Sequence, residues 1–421
     1  MRMTGLLLMP LAMVALVASA QARPSAAVTA AADVRALGAS IDQMHPDPYR
    51  AITKAQFEAA VEDLARRAPE LSRDEVLAGM LRIVALLGPR NGHTGIFPAD
   101  PSNARELHLY PLRLYDFADG LFVVDAADRS LVRDRLVSVN GMPIDEVLAR
   151  VRPLVPRDND SNLRGMAPHY LLTAEVLHGL DVLDGIQPAT FGLERPDGER
   201  VEARLAPIPA DAYVRTFPDA LHGHYPSVLP SAPRPLYLAG SARPMSVRTL
   251  AAGRAVYFQF NSVQRPLSAF VRKLQRLAFA PSTRRVIVDL RLNGGGDNTT
   301  YGSLLDVLRS KQVNRRGKLY LLTGRATFSA AANFAADVDR FTRAIVVGEP
   351  TGGGVETYGD TSAVSFPTVG LTAHIATRYH ERKRGPHDLR LAVEPDIGID
   401  LTSSQYVAGR DPVLERALRA R

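Results

Sequence analysis

An α/β multidomain protein is predicted by three changes of texture along the 421 residues. Apolar residues recur at helical spacing up to about residue 87. Short strands separated by Asp and Gly turns follow from about residue 107, and from about residue 250 strands and helices alternate. About 400 residues exceed what one hydrophobic core supports, so two or three domains are expected.

The chain opens on Met1-Arg2-Met3-Thr4 and an apolar run over 5–17 that ends in small residues. A charged start and a short apolar run predict a secretory signal peptide over 1–22, cut after Ala20 or Ala22. The run falls short of the ~20 residues that a spanning helix needs. No cysteine is present, so neither a disulfide framework nor a lipidated cysteine is available. The mature chain is expected to be periplasmic or secreted and free of the membrane after cleavage. The net charge of +7 is spread without a basic run, and nucleic acid is not an expected partner.

Residues 28–100 are expected to form a helical cap, with Val34, Leu37, Ile41 and Met44 on one face, Phe57, Val61 and Leu64 on the next, and Val76, Leu77, Met80, Leu81, Ile83 and Val84 on a third. The cap ends in Leu87-Gly88-Pro-Arg-Asn-Gly92-His93-Thr94-Gly95, a glycine-rich turn around one histidine. Residues 103–207 read as short strands at 114–124 and 134–139, an Asn140-Gly141 turn and a helical stretch at 144–151, an arrangement that resembles a PDZ-like module. Residues 208–235 are expected to be a linker, because 225–235 are rich in proline. Residues 236–410 carry the βα alternation: strands at 255–260, 286–290 and 319–323, helices at 267–277 and 301–308, and a helix after Ser329.

Ser329 draws the chemistry. It follows an apolar strand and a tight turn and opens an alanine-rich helix, a layout that exposes a hydroxyl beside free backbone N–H groups. A plain helix cap is the competing reading. Upstream, Val286-Ile-Val-Asp289-Leu-Arg291 runs into Asn293-Gly294-Gly295-Gly296, where glycines let the backbone approach a ligand. Asp289 and Arg291 are expected to pair with each other. His222-Gly-His224 offers two imidazoles without a cysteine or carboxylate cluster, so no metal and no cofactor is expected.

Four ordered motifs carry a resemblance: Asp-Leu-Arg-x-Asn-x-Gly-Gly at 289–296, Thr-Phe-Ser-Ala-Ala at 327–331, Val347-Gly348-Glu349-Pro-Thr-Gly352-Gly353-Gly354, and Val393-Glu394-Pro395-Asp396-Ile397. Together they resemble the core of the C-terminal processing peptidase (tail-specific protease, S41) family. The Gly92-His93-Thr94 segment is similar to that of its tricorn-core and interphotoreceptor retinoid-binding-protein-like branch. The resemblance implies a layered, ClpP/crotonase-like α/β core and a serine peptidase acting on peptide or protein segments. It also implies roles: Ser329 as nucleophile, His93 as base, Gly295 or Gly296 together with Ala330 as oxyanion N–H donors, and a carboxylate to orient His93. That carboxylate is expected to be Asp388, with Glu394 as competitor.

A Ser-Lys site is not expected. The five lysines are Lys54, Lys273, Lys311, Lys318 and Lys383, and the position such an enzyme would use falls in 352–354, which is all glycine. The resembled branch also has a serine before its histidine, where this chain has Gly92. Strands around 121–124 and 136–139 are expected to offer an open edge to extended substrates. A ligand-binding protein on the same core and an esterase are the rival functions. Oligomeric state and cleavage specificity are not legible.

Overall fold

The computed structural model describes residues 29–103, 106–217 and 234–419. The expected signal peptide, the His222/His224 pair and most of the proline-rich stretch lie outside the described residues. Within them the chain is a mixed α/β fold of cap, strand-rich module and layered core.

Three helices, Ala30–Met44, Lys54–Arg67 and Arg73–Ala85, form the cap. Thr53 and Ser72 start the second and third with reciprocal capping boxes to Gln56 and Glu75. The predicted apolar residues are buried, with Met44 packed at the edge. What covers them was not expected: an eleven-residue antiparallel pair, Glu356–Phe366 and Leu371–Glu381, leaves the core and lays Phe366, Val369, Leu371, Ala373 and Ile375 into the cap's cluster. Gly95 and His374 exchange backbone hydrogen bonds at 2.9 and 2.8 Å, so the histidine turn is paired to this hairpin.

The module is a sheet in the order Leu112–Phe117, Gly120–Ala126, Arg135–Val139, Ala189–Glu194, Arg200–Leu205, antiparallel throughout. Its apolar residues and the cap's belong to one continuous cluster. The strands expected to be an open edge are interior: Gly120–Ala126 and Arg135–Val139 each have neighbours on both sides. The sheet's edges are instead Leu112–Phe117 and Arg200–Leu205. The first is engaged as well, since the Asp116 carbonyl accepts from Arg164 and Arg325 and the Leu112 carbonyl from Tyr213. The expected linker is ordered in part: Ile208–Pro209 pairs with His108–Leu109, and Ala210–Thr216 is a helix that buries Tyr213.

The core sheet runs Ile397–Gly398, Ile345–Gly348, Leu319–Thr323, Arg285–Asp289, Ala255–Phe260, Met245–Leu250, parallel except for the last pair. Both faces are covered, which explains strands that are apolar on both sides. Helices Ser268–Ala278, Gly302–Arg309 and Ala330–Phe341 cover one face, and Pro412–Arg419 covers the other against Tyr257, Ile287, Tyr320 and Val347. Parallel strands direct their C-terminal ends to one rim, where ligands bind in such sheets. The loops after Asp289, Thr323 and Gly348 meet there.

Candidate active site

Strand Leu319–Thr323 ends in a turn that Thr327 closes, accepting from Gly324 N–H at 3.1 Å and donating to the Leu290 carbonyl at 2.9 Å. Phe328 N–H donates to the Asn293 carbonyl at 3.0 Å, so the serine turn and the glycine turn are tied together. Ser329 follows at φ 52° and ψ −130°, a conformation that L-residues avoid and that costs on the order of 1–3 kcal/mol. Its hydroxyl makes no cap hydrogen bond to the helix it begins. The capping reading therefore fails, and what remains is a strained turn that holds a partly exposed hydroxyl clear of the helix, as in a nucleophile elbow.

Gly295 lies against this elbow. A methyl built on it would stand 2.6 Å from Ser329 Cβ and 3.1 Å from both Ser329 Oγ and Ala330 N. The glycine thus packs closely on the elbow beside the Ala330 N–H, which makes no hydrogen bond among the described residues. The Gly295 N–H does not fit its expected donor role, because it is already given to Asn293 Oδ1 at 3.0 Å. Gly296 N–H is uncommitted among the described residues, but that residue packs against the Val263 carbonyl, 2.0 Å from where its Cβ would be. Ala330 is the donor that faces the serine.

The loop at 352–354 completes the elbow. A Cβ on Gly353 would meet Ala332 Cβ at 2.5 Å and Ser329 N at 3.1 Å, and Gly353 N–H donates to the Thr327 carbonyl. No side chain fits at this position. Four of the five lysines are occupied elsewhere: Lys54 on Asp42, Lys273 on the Val247 carbonyl, Lys318 on the Ala278 carbonyl and Lys383 on Glu356.

His93 reaches the elbow from the cap. Its ring stacks on Phe328, the residue before the serine, with centroids 4.4 Å apart and planes at 23°. Nδ1 is buried without a hydrogen-bond partner, and Nε2 lies 3.8 Å from where a Cβ on Gly359 would be. His93 and Ser329 share no hydrogen bond in the structure; such bonds are often long before substrate orders the site. Burial is the largest influence on the imidazole and holds its pKa below the ordinary 6.5, while the Asp158 carboxylate pulls the other way. His380 opposes the cation and Asp360 supports it, both from the hairpin. A neutral imidazole at pH 7 is the form that accepts a proton.

The two expected carboxylates are not brought to His93. Asp388 accepts from Arg390 Nε and its terminal nitrogen, both at 2.8 Å, and from Arg384 N–H, and these bonds hold its pKa well below the usual range. Glu394 is exposed on the rim of a roughly 580 Å³ cleft that also has Arg164, Glu349 and Asp400 on its wall. Sequence reasoning missed the carboxylate that is close. Asp158 is fully buried and accepts from Gly92 N–H at 2.7 Å, Thr357 Oγ1 at 2.7 Å and Gly354 N–H at 3.1 Å. In Arg157-Asp158-Asn159-Asp160 it reads as the solvated start of a helix, and nothing local signals its burial.

Asp289 and Arg291 form the expected pair at 2.6 Å, extended by Asp411 at 2.8 Å and Tyr257 at 2.7 Å. The Arg291 guanidinium also lies 4.2 Å from the Tyr237 ring. Arg325 pairs with Glu349 and donates to the Asp116 carbonyl, which fixes the elbow strand to the module.

A family model described as Peptidase family S41 matches residues 298–399. No curated protein sequence matches the chain. Among solved structures, mature CPAF complexed with lactacystin superposes with a TM-score of 0.62 at 16% identity, covering 92% of this chain and 97% of that one. A CPAF point mutant gives 0.63 at 16% identity, covering 93% and 98%. The photosystem II D1 C-terminal processing protease gives 0.41 at 14% identity, covering 91% and 98%. At these identities the CPAF likeness establishes the fold across nearly the whole length of both chains. The family match falls on the half of the core that holds the serine elbow, the glycine loop and the Pro395-Asp396 turn. The resemblance read from the four motifs is borne out: over residues 298–399, which hold three of them, the chain matches the model of Peptidase family S41.

Proposed function

We propose that this is an exported serine endopeptidase in which Ser329 attacks a peptide carbonyl and His93 is the base. The observation that carries the reading is the elbow: a serine at positive φ, uncapped, with a spare N–H beside it and an imidazole on the preceding residue. In the reaction the Ser329 proton passes to His93, the oxyanion forms beside Ala330 N–H, and His93 returns the proton to the leaving amine. Export rests on the leader-like residues 1–22.

Extended or unfolded segments are the substrates that fit. The paired interior strands at 120–126 and 135–139 leave the module no role there through strand addition, and because the module shares the cap's core, its deletion does not isolate recruitment. The rival ligand-binding function called for an apolar cavity and no Ser329–His93 hydrogen bond, and that bond is absent among the described residues. A cavity of roughly 500 Å³ exists, lined by Phe117, Phe122, Val124, Tyr406 and Val407, but neither Ser329 nor His93 lines it.

The test is labelling of the exported protein with a fluorophosphonate, followed by peptide mapping. The label is expected on Ser329, with hydrolysis of an unfolded protein lost in parallel. Unlabelled Ser329 in protein that cleaves would overturn the assignment, and N-terminal sequencing that finds Met1 retained would overturn cleavage of the leader in favour of an uncleaved anchor.

The pH profile is a second expectation. Because burial lowers the His93 pKa, the base stays neutral further into acid than a free imidazole does. The kcat/KM of the enzyme should therefore rise with pH through an apparent pKa below 6.5 and be flat above it. A midpoint above 6.5, or an unchanged midpoint in His93→Ala, would contradict the role.

A further inference from the structure

We infer that Asp158 is the positioning carboxylate of this site, fixing His93 relative to Ser329 and stabilising the imidazolium as it forms; the inference rests on the peptidase reading above. The placement follows from hydrogen bonds that converge from three segments. Asp158 Oδ1 accepts from Gly92 N–H, the residue before His93, at 2.7 Å. Its Oδ2 accepts from Gly354 N–H at 3.1 Å and from Thr357 Oγ1 at 2.7 Å. Gly354 belongs to the loop whose preceding glycine abuts Ser329 N, and Thr357 begins the hairpin strand that passes Nε2 of His93. One carboxylate therefore holds the turn of the base, the loop behind the nucleophile and the strand beside the imidazole.

The main chain reinforces it. Arg90 N–H donates to the Asp158 carbonyl at 3.0 Å and Asn91 N–H to the Arg157 carbonyl at 3.1 Å, a short ladder along the histidine turn. Asn162 Oδ1 accepts from Asp158 N–H at 3.1 Å, while Asn159 Nδ2 donates to the Thr351 carbonyl at 3.0 Å. The start of helix Asp160–Leu171 is thereby pinned to the glycine loop.

Gly92 supplies the complementary constraint. A Cβ there would fall 2.7 Å from Asn162 Oδ1, 3.0 Å from Asp158 N and 3.1 Å from Asp158 Oδ1. A serine before the histidine has no room because Asp158 and its partner fill that space. The charged and titratable groups acting on His93 are Asp158, hydrogen-bonded to this turn, and Asp360 and His380 from the hairpin. Asp158 is the one of the two carboxylates that is fully buried, and Asp360 is shared with His380 and Arg378. A carboxylate out of water acts on a neighbouring cation with far less screening.

The test compares Asp158→Asn and Asp158→Glu with wild type by three readouts: thermal unfolding, kcat and KM against pH, and the NMR titration of the His93 ring assigned with His93→Ala. In Asp158→Asn the lost charge should move the His93 pKa, and with it the acid limb of kcat/KM, to lower pH. Its kcat should fall by more than about tenfold, with KM changed less than threefold. Asp158→Glu keeps the charge and shifts the geometry, so its acid limb should stay near wild type while kcat falls by a similar factor. Should Asp158→Asn not fold, the Glu variant decides alone: unchanged kcat overturns the inference. A folded Asn variant with an unmoved His93 titration overturns it too. Wild-type protein that neither cleaves nor takes the fluorophosphonate would instead defeat the peptidase reading, and the NMR titration still reports on Asp158.

Discussion

Ser329→Gly should lose hydrolysis by about 10⁴-fold or more and gain stability. The two effects share one cause. At φ 52° and ψ −130° the serine Cβ is strained, and glycine adopts such a conformation without that penalty. Against the relief stands the extra freedom that glycine brings to the unfolded chain, so the net gain should be about 1 kcal/mol. Ser329→Ala separates strain from chemistry: it keeps the Cβ, so stability should stay within about 0.5 kcal/mol of wild type while activity falls as far. A serine that merely capped the helix would behave otherwise, losing about 1 kcal/mol on change to alanine and keeping its activity. Urea unfolding and kcat measured on the same preparations decide between them. Activity within tenfold of wild type in either variant would sink the nucleophile.

Why the serine elbow was legible and its orienting carboxylate was not comes down to range. Strand 319–323, the turn and the alanine helix are local: a buried apolar run, a glycine and a helix former each act within a few residues. The cap helices were legible for the same reason, with apolar spacing and the capping residues Thr53 and Ser72 written beside each other. The hairpin at 356–381 had no such signal. Its first strand reads Glu-Thr-Tyr-Gly-Asp-Thr-Ser-Ala-Val-Ser-Phe, mostly polar, and it is held by cap helices some three hundred residues away. That hairpin carries Gly359, Asp360 and His380 to His93, so half of the histidine's surroundings stayed invisible. Asp388 misled because its distance from the Pro395-Asp396 turn suggested a role, while Arg390 two residues on is its actual partner. Asp158 is the opposite case: charged neighbours suggest solvent, yet the fold buries it under the histidine turn.

Gly295→Ala is the substitution on the glycine turn with the largest expected effect. Gly295 gives its N–H to Asn293, so the residue matters for how closely it packs on the elbow. At φ 119° an alanine is strained, and its methyl would be 2.6 Å from Ser329 Cβ and 3.1 Å from both Ser329 Oγ and Ala330 N. Real carbon atoms do not approach so closely, so either the elbow or the glycine turn must shift. Whichever moves, the Ser329 hydroxyl and the Ala330 N–H leave the positions they hold beside Gly295. Removing one oxyanion donor in an acyl-transfer site costs about 10²–10³ in kcat, and displacing one from the nucleophile should cost as much. Backbone strain should lower stability by on the order of 1–3 kcal/mol, too little by itself to explain that loss in a protein that remains folded. Gly294→Ala is the control, since a Cβ there has nothing within 4 Å and its φ is not positive. It should keep activity within about threefold, because nothing has to move to make room for the methyl. Equal losses in the two variants, measured as kcat at saturating substrate on protein shown to be folded, would mean that the glycine turn serves the fold alone and that the oxyanion lies elsewhere.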